Sequence, residues 1–317
     1  MREKKETNTA ELDSPFFGKP YVFANLVFKT AAISFSVSAF TQPFQYMLTR
    51  MQLPGASGAD SAFKQGLFRS MYRGFGSYAI AGQKRGAVAV TAKQQNRESA
   101  EEQLEHEVHP HKRVLGTFLF SQADLLVSNG LVSKAKLESA KIVTKGNFNW
   151  SVANLWHLTT TNWGSRSIAG FINFAAIGMM GDSIASLFKF NRDIYNQVAA
   201  GATSGVIATF LTTIPNAYAD KKLLASKMNE GRVVTVSPFS MFSQAKVHMR
   251  EMGAKEAMKT FFKVTFLKEA LIRSPQTALT FSIIFGLDHA MGTEPLKRVW
   301  PKPEEDRDSS PSAGPAR

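Results

Sequence analysis

Two stretches of this chain, Thr30–Leu48 and Val198–Ala217, carry no charged side chain. Each is close to the roughly 20 residues a helix needs to cross the apolar core of a bilayer. Val114–Val132 holds one charge, Asp124, and Asn162–Met180 holds one, Arg166. Met71–Ala92 and Val264–Leu287 are less clean, with Arg73, Lys84 and Arg85 in the former and Lys268, Glu269 and Arg273 in the latter. The first apolar run begins nearer Tyr21 and is interrupted by Lys29. Six such stretches predict an all-α membrane protein with six transmembrane helices. Hydrophobic content of 44% does not by itself separate such a bundle, with long polar loops, from a soluble chain.

The charges between these stretches test the count. The first and second are joined by a segment with Arg50, Lys64, Arg69 and Arg73 against Asp60, and the third and fourth by one with Lys134, Lys136, Lys141 and Lys145 against Glu138. The long connection between the fifth and sixth is also basic, from Lys221 and Lys222 through Lys263. The opposite connection, Lys93–Arg113, is acid-rich through Glu98, Glu101, Glu102, Glu105 and Glu107. Basic loops confined to one side are the pattern that charge-biased insertion produces. The same alternation is a repeat of three, each unit an apolar helix, a basic connection and a second helix. The boundaries read as a polar extension over 1–20, repeats over 21–113, 114–197 and 198–289, and a disordered tail over 290–317 rich in Pro, Ser and charge. Within the fifth stretch, Gly201 and Gly205 have the small-residue spacing that lets membrane helices approach closely.

Each repeat carries part of one motif. The first reads Pro43-Phe44-Gln45-Tyr46-Met47-Leu48-Thr49-Arg50-Met51-Gln52, followed by Tyr72-Arg73-Gly74. The second has Gln122 where proline stands in the first, then Asp124 and Val127, and later Leu155-Trp156-His157-Leu158. The third runs from Pro215 through Ala217 and Asp220 to Lys222. These segments resemble the repeat signature of the mitochondrial carrier family, Pro-x-acid-x-x-base-x-base and then aromatic-base-Gly, over roughly Tyr21–His289. The resemblance implies three pseudo-repeats around a central cavity open alternately to either side, in the mitochondrial inner membrane, as a monomer among lipids that include cardiolipin. It also implies gate residues at Pro43, Gln45, Arg50, Gln52, Asp124, Pro215, Asp220 and Lys222. In the family, acids and bases of these motifs pair and close the matrix side. Gln45, Leu48, Val127 and Ala217 remove four of those six partners here, and Asp124 and Asp220 are set to repel, so a weak gate held by Tyr46, Gln45 and apolar contacts is expected, with loosely coupled exchange.

Ionisable residues inside a span usually face a partner or a wet cavity. Alignment on the resemblance places substrate contacts at Ser165 and Arg166 on the fourth helix and Arg273 on the sixth, while Ala81 stands at the second-helix position and Lys84 or Arg85 takes over its charge. Guanidinium groups suit bidentate binding of carboxylate or phosphate. The bland alternatives are that Arg166 snorkels to the surface, that Arg273 pairs with Glu269 one turn earlier, and that Lys84 and Arg85 mark a misjudged span. A cavity of this kind selects a small-molecule anion. An adenine nucleotide such as ATP is favoured, with Ile168, Ala169 and Phe171 as a wall for the ring, and phosphate or di- and tricarboxylates are the alternatives.

The net charge of +13 also fits nucleic acid, but the basic residues alternate between loops instead of forming one face. A non-transporting membrane interaction protein is a third reading. No enzyme, cofactor or metal is expected: there is no cysteine, and His106, His109 and His111 have no standard helical ligand spacing. No signal peptide is visible in Met1–Lys19. The tail, with Glu304, Glu305, Asp306 and Asp308, resembles acidic secretion signals of bacterial effectors delivered to host cells, which would make the membrane that of a host mitochondrion.

Overall fold

Helix formation here follows the long apolar runs, and three of the longest helices continue through internal prolines at Pro43, Pro215 and Pro275. A computed structural model describes residues 20–53, 66–83, 110–144, 146–297 and 299. Helix α1 spans Pro20–Gln52. A short α2 (Leu67–Met71) and a turn at 72–74 lead into α3, described over 75–83. Then come α4 (Pro110–Ser139), α5 (Val152–Thr160) and α6 (Trp163–Ala175). A π turn at Ala176–Met180 carries α6 into the short α7 (Gly181–Ala185). The long α8 (Asp193–Leu224) is followed by a hairpin of β1 (Lys227–Asn229) and β2 (Arg232–Val234). Two exposed helices, α9 (Pro238–Met252) and α10 (Ala254–Thr260), precede a π turn at Phe261–Phe266 and the final α11 (Leu267–Met291).

Six helical segments close a ring, and polar contacts mark each seam. Tyr78 and Thr41 share a hydroxyl contact of 3.0 Å between α3 and α1. Ser139 donates to the Arg73 carbonyl at 2.9 Å, fixing α4 to the turn before α3. Ser167 on α6 donates to Gln122 on α4 at 2.9 Å, and Asn162 at the start of α6 donates to the Ala219 carbonyl of α8 at 2.9 Å. Lys29 on α1 meets Asp288 on α11 at 2.6 Å. Between α8 and α11 the seam is backbone on backbone. A Cβ on Gly201 would lie 2.6 Å from the Phe281 carbonyl oxygen, and one on Gly205 2.7 Å from that of Thr277. The small-residue spacing read in the sequence is therefore a close helix crossing.

Burial in this ring is inverted. On α1, Asn25, Lys29, Ser34, Ser38, Thr41, Gln42 and Thr49 are buried, whereas Phe23, Val27, Phe28, Phe35, Phe40 and Met47 are exposed. On α8, Ser204, Thr209, Thr212, Thr213 and Asp220 are buried, and Ile207, Phe210, Leu211 and Ile214 are exposed. An apolar exterior of this extent around a polar interior marks a surface made for a membrane or a partner. Two described helices, over Phe23–Gln52 and Asp193–Leu224, are by length and mean hydropathy (1.4 each) apolar enough to cross a bilayer.

The all-α expectation holds for the fold as a whole, which is mostly helical and carries one small hairpin. Several expectations are corrected. The stretch Met71–Ala92 does not begin as one helix, because Gly74 adopts φ 79° and α3 starts only after it. Conversely, α4 and α8 run beyond their apolar stretches, so Lys134, Lys136, Asp220 and Lys222 sit on helices. Residues 84–109, with Lys84, Arg85, His106, His109 and the glutamates of the acid-rich connection, and the tail beyond 299 lie outside the described residues.

The α8–α11 crossing generates a prediction. Gly205→Leu must push two backbones apart and should cost about 1–3 kcal/mol or more. Gly116→Ala, with open space around the added carbon, should be neutral or stabilising by up to about 1 kcal/mol. Apparent Tm of the purified protein in detergent measures both; equal effects would mean the crossing is not tight.

Candidate functional site

The inward-facing polar residues enclose a cavity of about 230 Å³, lined from α1, α3, α4, α6, α8 and α11. Its walls are hydroxyls and amides: Ser34, Ser38, Tyr78, Ser121, Asn129, Asn173, Thr209, Thr212 and Thr280. Towards one end an apolar cluster of Ile33, Ala176, Ile177, Ala208, Phe281, Ile284 and Phe285 packs around it. Towards the other lie Gln45, Arg166, Asn216, Asp220, Arg273 and Gln276.

That second end is a floor built around one carboxylate. Asp220, fully enclosed on α8, accepts from Arg166 of α6 at 2.5 Å through one oxygen. Its other oxygen takes Arg273 of α11 and Lys136 of α4, each at 2.5 Å. Arg273 also reaches Glu269, one turn earlier on its own helix, at 3.2 Å. Arg166 donates a second bond to Asn216 at 3.0 Å. From α1, Gln52 donates to Glu269 at 3.1 Å and, more weakly, to Asp220 at 3.5 Å. Five helices thus converge on one group. Three cations face two carboxylates, so the cluster keeps one positive charge unbalanced. The Arg273 Nε is buried without a hydrogen-bond partner.

An apolar cap lies beyond the floor. Leu137, Val143, Phe148, Leu158, Leu223 and Val233 form a second buried cluster, with the hairpin folded over it. The two-residue turn Glu230-Gly231 has positive φ at both positions, the geometry that matches strand twist. Asn154 pins it, donating to the Gly231 carbonyl at 3.1 Å and accepting from the Val233 amide at 3.2 Å.

The residues singled out in the sequence fare differently. Arg166 and Arg273 do line the cavity, but neither is a free substrate charge, since Asp220 holds both. The intrahelical Arg273–Glu269 pair exists and is only part of a larger network. Ser165 is half-buried and does not line the cavity. Ile168 faces outwards, and Phe171 packs edge-on against Phe118 with centroids 6.2 Å apart, so of the expected ring wall only Ala169 reaches the cavity.

The gate is corrected more deeply. Asp220 does not repel; it is the clamp. Asp124 lines the cavity wall and accepts from Ser128 at 3.2 Å. Arg50 donates to Tyr46 at 3.2 Å and forms no ion pair among the described residues. Gln45 accepts from Gln276 at 3.2 Å, which joins α1 to α11. Lys222 forms no ion pair among the described residues. Pro43 and Pro215 lie inside α1 and α8, where each removes a backbone donor.

Sequence reasoning missed Lys136, assigning it to a basic loop. It lies two helical turns beyond Asn129, which lines the cavity, and that spacing places both on one face. It also missed Lys134, which donates to Ser77 at 3.1 Å, pairs with Glu138 and lies over the Trp150 ring, 4.5 Å from its centroid. Among the described residues no three His, Asp or Glu side chains gather as metal ligands.

The family of mitochondrial SLC25 homologues matches residues 21–301. A protein of Legionella pneumophila subsp. pneumophila named serine protease Lpg1137 is 55% identical over 318 residues, spanning 100% of this chain and 96% of its own length. Its name is that of a protease, whereas the matching family is one of mitochondrial carrier homologues. No solved structure matches the chain.

Breaking a buried ion pair from one side strands the remaining charge, which costs about 3–5 kcal/mol. Asp220→Ala leaves Lys136 and Arg166 without a carboxylate, and Arg273 with only Glu269, and should lower the apparent Tm strongly. Lys136→Met removes the excess cation while keeping side-chain bulk, and should cost far less or stabilise. The opposite ranking in a thermal melt would show that Asp220 is not the centre of the cluster.

Proposed function

The chain belongs to the family of mitochondrial SLC25 homologues, and from that premise we propose that it is a carrier-type membrane protein that moves a small anionic metabolite by alternating access. Its place, on this reading, is the mitochondrial inner membrane, reached in a host cell as a bacterial effector. The observation that carries the proposal is the inverted ring, with an apolar exterior, a polar cavity and Arg166 and Arg273 at its floor. Six helices lining one cavity support six spans in three repeats.

The cavity also ranks the substrates. At about 230 Å³ it is smaller than the roughly 300–1,000 Å³ that drug-sized ligands occupy. Tyr78, Phe174 and Phe281 line it, but the wall expected at Ile168 and Phe171 does not. Phosphate or a di- or tricarboxylate therefore fits better than the adenine nucleotide favoured from charge and an apolar wall in the sequence. Hydroxyl and amide walls suit the polar body of such a molecule, and the arginines its charged end.

The relative's name gives a second reading, serine protease, and the Ser77–Lys134 contact is the observation that brings it to this chain. A serine–lysine pair hydrolyses peptides when the amine takes the hydroxyl proton. Here the ammonium donates to Ser77 and is ion-paired with Glu138, so it is engaged as a cation. We read the pair as a brace between α3 and α4.

Alkaline carbonate extraction should leave the protein in the membrane pellet; release would defeat the carrier reading. In proteoliposomes, labelled phosphate, dicarboxylates and tricarboxylates should be taken up ahead of ATP, and Arg166→Ala should lower uptake by about tenfold or more through loss of a charge-assisted contact. A fluorophosphonate probe should leave Ser77 unlabelled; labelling lost in Ser77→Ala, together with absence of uptake, would favour the protease.

A further inference from the structure

The arginines that would receive an anion are already occupied by one. Arg166 and Arg273 grip the Asp220 carboxylate from two sides at 2.5 Å each, and all three residues line the cavity. A carboxylate so held has the contacts that a bound substrate carboxylate or phosphate would make. Asp220 has a further partner, Lys136, which is fully buried. Arg273 is shared with Glu269 and retains an unpartnered buried Nε. If Asp220 stays with Lys136 and Arg273, only Arg166 is left without a carboxylate, its remaining bond being to the neutral Asn216. The one unbalanced charge of the cluster is then located on Arg166.

We infer that Asp220 is a tethered stand-in for the transported anion. An entering carboxylate or phosphate group takes Arg166 from Asp220 and accepts from the free Arg273 Nε, while Asp220 remains with Lys136 and Arg273. The negative charge of the entering group offsets the one unbalanced positive charge of the cluster. When it leaves, Asp220 returns to Arg166. No bare guanidinium is stranded in a dry interior at any stage, and stranding one is what makes an empty carrier slow to switch. The protein can therefore return without a counter-substrate and sustain net transport. The weakly coupled exchange expected from the sequence is retained, but its cause is reversed: a strong internal anion replaces the missing substrate, where a weak gate was expected.

This inference rests on the carrier reading, so its test separates the two. The first arm needs no transport. Asp220→Ala leaves a carboxylate-shaped gap among three cations, and formate at fixed ionic strength should refill it. Relative to chloride, formate should raise the apparent Tm of the variant by about 3 °C or more, through binding to the folded state, and that of the wild type far less. Equal responses in the two proteins, or none in the variant, would overturn the stand-in role.

The second arm uses wild-type proteoliposomes and labelled phosphate or dicarboxylate. Uptake into unloaded vesicles should match uptake into preloaded ones. In Asp220→Asn the ratio of unloaded to preloaded uptake should fall by about tenfold or more, because the empty clamp must cross unpaired. Strict dependence of the wild type on preloading would overturn the inference even if neither variant folds. Absence of wild-type uptake under every condition would defeat the carrier reading, leaving the formate response to decide whether Asp220 fills an anion site.

Discussion

Three cations within reach of one another in a protein interior repel strongly and have each lost their hydration, and only a carboxylate set among them makes the arrangement tolerable. Asp220 is that carboxylate. Its three ion pairs bring Lys136, Arg166 and Arg273 together from three other helices. Glu269 and Gln52 add a fourth contact and a fifth helix. The register of α8 against its neighbours is therefore set by charge as well as by packing, since sliding α8 by one turn would strand every partner at once.

The rest of the ring is arranged to protect this cluster. Polar side chains point inwards and apolar ones outwards, so the interior offers hydrogen bonds where a soluble protein would have a hydrocarbon core. One end of the cavity is finished by the apolar cluster around Ile33, Phe281 and Phe285. Beyond the ionic floor, the hairpin held by Asn154 covers Leu137, Phe148 and Leu223 and keeps water from the far side of Lys136. Ionic floor and apolar cap act in series. The charges define which helices meet, and the cap holds the dielectric low enough for the charges to matter.

Much of this was legible in the sequence, and the failures have a common cause. Uncharged runs revealed α1 and α8, Gly201 and Gly205 revealed a close crossing, and isolated charges in apolar surroundings pointed to Arg166 and Arg273. Those signals are local. Asp220 was misjudged because its motif slot normally holds a base, and acid–base slots compared along the chain suggested an unpaired carboxylate. Its partners come from positions outside the motif. Lys136 escaped because the apolar stretch ends before the helix does, so a buried charge looked like the start of a loop. The ring wall failed for a related reason: Ile168, Ala169 and Phe171 are neighbours in sequence, but on a helix residues one and three apart do not all face the same way.

The close crossing of α8 and α11 has a further consequence. Where Gly201 and Gly205 touch carbonyl groups of the opposite helix, no side chains lie between the backbones to change rotamer and let the pair slip. The two helices form a single stiff lever, and Asp220 and Arg273 are both mounted on it. Whatever the lever does, those two residues travel together. Arg166 on α6 and Lys136 on α4 stand off the lever, so their 2.5 Å contacts with Asp220 are the ion pairs that any motion of the lever must strain.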